Sequence, residues 1–354
     1  MTRKLKGLLW KILGIFLAKN HTPSDDSFSP DKIHSILAIR PDRLGDVILS
    51  TPVYASIKKS FPNIKLTVLV KRGQKEILLE NPYIDRIVVF DPKNILKTLR
   101  VLCSENYDIA IVLNLVFSST AAFFALLSRA PWKAGYDSPE GRKVFNLLVP
   151  KKAKLLHETQ HNLDVLRFLQ FPVIEESPKL FFEEKIKKEV ESLIAEKVRF
   201  PDKPLVLVKP GTRVLKWGWK TDNFKETIKR LVDFEDAEIF IIQGPGEEEL
   251  ISSFTEPSNN HVTILPPLTI AQLAYLIQRS KLLVCNHTGI MHLASAAQTP
   301  ALTIFKHGEI DRWGPICNRH IVLEERNGDN LSPQTVVENI RRLLSDSNNT
   351  AKTN

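Results

Sequence analysis

The sequence predicts an α/β protein of two doubly wound parallel-sheet domains facing each other across a cleft. Three observations carry that expectation. Short β-rich apolar runs alternate with helical patterns along most of the chain, and the alternation stops and restarts around a proline-bounded stretch, Phe200-Pro201-Asp202-Lys203-Pro204. At 354 residues the chain is also too long for one ordinary core, since single domains usually hold about 100 to 200 residues. Hydrophobic residues at 43% and charged residues at 25% match the folded average, so two sizeable cores can be buried.

Residues 1–20 open the chain with Leu5, Leu8, Leu9, Ile12, Leu13 and Phe16 at helical spacing, and Lys4, Gly7, Lys11, Gly14 and Ala18 fall opposite. This is a basic amphipathic helix. Its lysines interrupt the apolar stretch before the roughly 20 residues that a spanning helix needs. A secretory signal fits poorly, because Lys11 splits the apolar run and Ala18-Lys19-Asn20 is a poor cleavage site. Two readings remain: attachment to an anionic membrane surface, or docking on the chain's own domain. Residues 21–34, rich in Ser, Pro and Asp, read as a linker.

From Ser35 onward, Ile36 to Ile39, Leu66 to Val70, Ile87 to Phe90 and Ile109 to Leu113 are strand-like runs, with helical stretches such as Val47 to Ser60 between them. The pattern weakens from Pro131 to Phe171, and a charged helix from Glu183 to Lys197 leads into the proline-bounded linker. Strand-like runs then resume at Leu205 to Val208, Ile239 to Ile242, Val262 to Leu265, Leu282 to Cys285 and Ala301 to Phe305. The expected domains are therefore residues 35–200 and 201–345, with residues 346–354 as a tail. Ligands of such sheets sit beyond the carboxyl ends of the strands, so the loops there should carry the chemistry.

Charge narrows the ligand class. Of the formal net charge of +9, five positive charges (Arg3, Lys4, Lys6, Lys11, Lys19) lie in residues 1–20 without an acid. The rest of the chain shows no aromatic-rich basic stripe or zinc-finger spacing, which argues against nucleic acid and for phosphorylated small molecules or anionic headgroups. Cys103, Cys285 and Cys317 are few, far apart and without CxxC spacing; they suggest buried small hydrophobes in a reducing cytoplasm.

The first strand runs into Arg40-Pro41-Asp42-Arg43-Leu44-Gly45-Asp46. Gly45 permits close approach of backbone to ligand, and Asp46 is either an N-terminal cap or a carboxylate facing the cleft. Arg43-Leu44-Gly45-Asp46 with Thr51-Pro52 resembles the opening motif of the ADP-heptose:lipopolysaccharide heptosyltransferases, glycosyltransferase family 9. Four further motifs follow in the family's order: Lys209-Pro210-Gly211-Thr212 with Lys216, Trp217 and Trp219; Gly244-Pro245-Gly246-Glu247; Asn286-His287-Thr288-Gly289-Ile290-Met291-His292-Leu293-Ala294; and Trp313-Gly314-Pro315.

The resemblance, which spans roughly Ser35 to Leu344, implies a GT-B fold of two Rossmann-like domains. It implies an acceptor side in residues 35–200, a nucleotide-sugar side in 201–345, and inverting transfer without a bound metal or other cofactor. The implied partners are a nucleotide-sugar donor, with ADP-heptose as the family donor, and a lipopolysaccharide core or related glycolipid. The implied place is the cytoplasmic face of a bacterial inner membrane.

By the same resemblance Asp46 is the general base, flanked by Arg43 and Gly45. The amides of Thr288, Gly289 and Ile290, ahead of a helical run from Met291 to Ala297, would bind the donor phosphates together with Thr212 and Lys216. A capped helix with a glycine turn reads the same residues without a ligand. Lys216 precedes Trp217 by one residue and Trp219 by three, whereas the family places its lysine two before the tryptophan, so Lys220 and Arg213 are substitutes. Glu247 resembles the family's ribose-binding acid, or starts a solvated helix in Glu247-Glu248-Glu249. His161 matches a pattern at the end of the first domain.

The departure is His287. The family has an aspartate there that contacts donor hydroxyls; a histidine cannot chelate a diol as a carboxylate does. Lys306 similarly replaces a common glycine. These changes keep open a diverged GT-B protein that uses another nucleotide-sugar or binds nucleotide or glycolipid without catalysis. His287 and His292 are five apart and no HExxH occurs, so a metal site is not expected. Other nucleotide chemistries lack their motifs: no G-x-G-x-x-G follows the first strand and no G-x-x-x-x-G-K-[ST] exists.

Overall fold

The computed structural model describes residues 28–234, 237–254, 260–317, 319–325 and 330–350. The basic amphipathic pattern at 1–20, the first half of the linker at 21–34 and the end of the tail at 346–354 lie outside the described residues.

The first sheet contains β1 (Ser35–Ile39), β2 (Lys65–Lys71), β3 (Arg86–Phe90), β4 (Ile109–Val112), β5 (Trp132–Tyr136) and β6 (Leu147–Val149), all parallel, in the order β3-β2-β1-β4-β5-β6. The second contains β7 (Leu205–Lys209), β8 (Glu238–Ile241), β9 (Val262–Ile264), β10 (Leu282–Asn286), β11 (Ala301–Phe305) and β12 (His320–Glu324), also parallel, in the order β12-β11-β10-β7-β8-β9. Counted from its own first strand, each sheet has the order 3-2-1-4-5-6. Strand order therefore reverses between β1 and β4 in one sheet and between β7 and β10 in the other, which is where doubly wound sheets open a crevice. The central strands are buried along their length, as burial on both faces requires.

Two Rossmann-like domains are thus present, and the differences from expectation are local. The stretch from Val47 to Ser60 is not one helix but two, α1 (Leu44–Ile48) and α2 (Thr51–Ser60). Pro52 has no N–H for the Ile48 carbonyl and its ring crowds that position. The Thr51 hydroxyl takes over, donating to the Ile48 carbonyl at 2.8 Å, and Asn162 Nδ2 donates to the Leu49 carbonyl at 3.0 Å. Where the pattern weakens, the chain still forms β5 and β6. β5 carries Lys133 and Gly135 within five residues, and a methyl group at Gly135 would overlap the Phe145 ring, so packing selects residues that blur the strand pattern.

Helices α3 (Ile95–Leu102), α4 (Ser119–Leu127) and α5 (Glu158–Phe168) complete the first half. The charged helix α6 (Glu184–Lys197) lies against α9 (Ile270–Arg279) of the second half, through Glu191 to Arg279 and Tyr275. Between them in sequence come α7 (Thr221–Asp233) and α8 (Glu248–Ser252), and after them α10 (Met291–Ala297), α11 (Ile310–Trp313) and α12 (Pro333–Thr350). Cys285 and Cys317 are buried as expected, whereas Cys103 is exposed because it caps the open end of α3. No helix among the described residues is long and apolar enough to cross a membrane.

Candidate active site

The loop after β1 turns straight into α1, which places Asp46 in the first turn of that helix. One carboxylate oxygen accepts from the Arg43 backbone N–H at 3.3 Å, and the other meets Arg40 Nη2 at 3.2 Å. Asp46 is therefore a cap, and its side chain also stays 15% exposed where the two domains meet. The cap and cleft-facing readings are not exclusive. Burial raises its carboxyl above the usual aspartate range, against the pull of the Arg40 guanidinium.

Arg40 organises this end of the first sheet although sequence reading gave it no role. It is 1% exposed; Nη1 donates to the Leu113 carbonyl at 2.6 Å, Nη2 also meets Glu158 Oε1 at 2.6 Å, and Nε lies 3.5 Å from Asp42. Asp42 in turn accepts from Asn114 after β4, closing the switch point between β1 and β4. Glu158 opens α5, and its second oxygen is taken by Arg312 of the other domain, at 2.9 Å from Nε and 2.8 Å from Nη2. Burial pushes the Glu158 carboxyl up, but the two guanidinium groups outweigh it and hold it below the usual range. Beside this pair, His157 Nδ1 accepts from the Thr159 amide, so Nε2 carries the proton that it donates across the domains to the Gly314 carbonyl at 3.0 Å.

The loop after β10 closes on the same place. A methyl group at Gly45 would overlap the ring of His292, and one at Gly289 would sit 3.4 Å from the Gly45 nitrogen. Glycine at position 45 lets α1 and α10 touch, whereas a side chain at position 289 would make an ordinary contact. The amides of Thr288, Gly289 and Ile290 donate to no acceptor among the described residues, and the Thr288 hydroxyl is buried without a partner. His287 stacks on Phe305 at 4.1 Å, and its Nδ1 lies 2.8 Å from the His307 carbonyl. A carbonyl only accepts, so Nδ1 carries the proton and the neutral ring has its lone pair on Nε2. Burial pushes this ring below the usual histidine range although the His307 carbonyl favours the charged form; His307 and Arg43 add to the depression.

The remaining predicted residues follow β7 and β8. Thr212 is half-buried; Lys216 is exposed, in a short 3-10 turn, and makes no ion pair among the described residues. Its neighbour Trp217 stacks on His307 at 4.3 Å, which ties the Lys216 turn to the His287 loop. Asn286, fully buried at the end of β10, fixes both loops by donating to the Pro210 carbonyl at 2.6 Å and accepting from the Trp219 amide at 2.9 Å. Glu247 is drawn inward by Lys209 Nζ at 2.7 Å and by the Gly244 amide at 2.7 Å; it precedes α8 and is not a freely solvated helix start. Lys209 is buried, which lowers its pKa although Glu247 holds it charged.

Asp46, Arg43, Gly45, His287, Thr288, Gly289 and Ile290 thus gather where the domains meet. Thr212 and Lys216 follow the strand paired with β10, and Glu247 follows the next strand outward. His161 is apart from them: buried in α5, its Nε2 accepts from the Leu156 amide. Lys306 pairs with Glu325 at 3.0 Å. No group of three His, Cys, Asp or Glu side chains suited to a metal ion occurs among the described residues.

The model of Glycosyltransferase family 9 (heptosyltransferase) matches residues 95–340. Lipopolysaccharide heptosyltransferase 3 of Escherichia coli is 25% identical over 299 residues, which cover 78% of this chain and 85% of that protein. Among solved structures, the glycosyl transferase family 9 protein of Veillonella parvula superposes with a TM-score of 0.79 at 19% identity, covering 88% of this chain and 97% of its own. The E. coli ADP-heptose lps heptosyltransferase II does so with a TM-score of 0.72 at 20% identity, covering 89% and 99%.

Proposed function

Because the chain belongs to glycosyltransferase family 9, we propose that it is an inverting transferase that moves a heptose from ADP-heptose onto a lipopolysaccharide core or related glycolipid. The observation that carries the reading is Asp46, a carboxylate of raised pKa held by Arg40 at the meeting point of the two switch-point loops. In an inverting transfer the acceptor hydroxyl attacks the anomeric carbon as the nucleoside diphosphate leaves from the opposite side. Asp46 takes the hydroxyl proton, and burial suits it to do so by making it a stronger base than a solvated aspartate.

The leaving diphosphate needs positive partners. Lys216, Thr212 and the amides of Thr288, Gly289 and Ile290 fill that role in this reading, without a metal ion. Glu247 holds the ribose. His287 presents Nε2 to one donor hydroxyl where a carboxylate accepts two, which favours a second reading in which the sugar differs from heptose. The lipid acceptor and the nucleotide donor together put the enzyme at the cytoplasmic face of the inner membrane, with residues 1–20 at the lipid surface.

A panel of nucleotide-sugars, read as sugar transfer to lipid A-core, tests the proposal with wild type, Asp46→Asn and His287→Asp. Asp46→Asn should retain donor affinity and lose turnover by about 10² or more. Turnover within a few-fold of wild type would reduce Asp46 to a cap. His287→Asp should shift preference toward ADP-heptose if histidine sets the sugar, and an unchanged donor profile would remove that role.

A further inference from the structure

Within the first domain three carboxylates, Asp42, Asp46 and Glu158, share one buried guanidinium, that of Arg40. Three negative charges against one positive is an unfavourable balance in a desolvated site, and the member most easily protonated is the one least well held. Glu158 has the short 2.6 Å contact to Arg40, and Asp42 has Asn114 as a second donor; Asp46 has Arg40 at 3.2 Å and one backbone amide. Domain contact worsens its position, since α10 brings the His292 ring against Gly45, next to Asp46 in the chain, and burial already raises the Asp46 carboxyl. The second domain also brings Arg312, whose guanidinium lies 4.7 Å from the Trp313 ring centre and engages Glu158 with two nitrogens.

We propose that Arg312 is a positioning residue which, through Glu158 and Arg40, keeps the Asp46 carboxylate ionised when the domains close on it. The inference rests on the reading of Asp46 as the base. Arg312 neutralises Glu158, so that Arg40 answers to Asp46 and Asp42 and the repulsion between Glu158 and Asp46 is offset. The same domain contact that covers the base therefore delivers the charge that compensates. Other groups facing Asp46 are Arg43 from its own loop, His292 and His287 from α10 and the loop before it, and His157 beside Glu158. The three histidines are depressed by burial and stay neutral as the base works.

The test is the acid limb of kcat, measured with both substrates saturating so that changes in affinity do not enter. Arg312→Gln should move the limb to higher pH by about half a unit or more, the scale of one neighbouring charge. Glu158→Gln should move it the other way, and the double variant should return it toward wild type. Arg312→Lys, which keeps the charge, should stay close to wild type. An Arg312 that only tethers the domains would alter KM or thermal stability in all variants and leave the limb in place, and that result overturns the inference. Asp46→Asn is measured alongside. If it is inactive and the limb does not respond, the relay fails while the base stands; if it retains turnover, the base itself is wrong and the relay falls with it.

Discussion

At the scale of single residues, His292 sits where the domains meet with no room for a second proton. Its ring covers Gly45, the Trp313 ring lies 6.4 Å away, and Nδ1 is buried without a hydrogen-bond partner among the described residues. Burial, with His157 and His287 nearby, lowers its pKa to about 3. The unfolded chain takes up this proton near pH 6.5 while the folded one refuses it until about pH 3. The folded state is therefore favoured above pH 6.5 and loses stability as pH falls through the window below it, by up to about 1.4 kcal/mol per pH unit for this one proton. His157 and His287 are depressed in the same direction and add to the slope. His292→Leu should flatten the pH dependence of unfolding free energy between pH 6.5 and 5 by about one proton. A slope equal to that of wild type would mean that His292 is solvated in solution.

At the scale of elements, the contact of α1 with α10 is set by a side chain that is absent. Gly45→Ala puts a methyl group into the His292 ring, and a fully buried ring has nowhere to swing. The substitution should cost about 1 to 3 kcal/mol of stability and lower kcat/KM, and His292→Ala in the same chain should recover part of the loss. Equal activity of the single variant would show that the two helices part during turnover.

The β1, β7 and β10 loops were legible in the sequence because each follows an apolar run and holds a glycine within a few residues, a local signal. The split between α1 and α2 was signalled by Pro52, but the helical pattern on both sides concealed it. β5 and β6 were not legible, since Lys133, Gly135 and Asn146 satisfy neighbours instead of a period of two. Least legible was the charged link: Arg40 and Glu158 are 118 positions apart, Glu158 and Arg312 another 154, and no window of sequence contains them.

At the scale of the whole molecule, the proposed lipid-borne acceptor raises the question of what would bring the enzyme to a surface. The two sheets share one strand order and meet at their switch points, which accounts for the site but not for attachment to a surface. More than half of the net charge of +9 lies in residues 1–20, among apolar residues at helical spacing in the sequence. Each basic residue near an anionic surface contributes about 1 kcal/mol at moderate salt, so five beside that apolar pattern would supply both signals of the proposed anchor. Deleting residues 1–20 should leave folding and the turnover of a detergent-soluble acceptor unchanged. Co-sedimentation with phosphatidylglycerol-containing vesicles should fall by tenfold or more, and the wild-type signal should weaken with salt as screening shortens the reach of the charges. If binding persists after deletion, attachment resides on the folded domains. If it is lost together with turnover of the soluble acceptor, the segment docks on its own domain and supports the fold instead of the membrane.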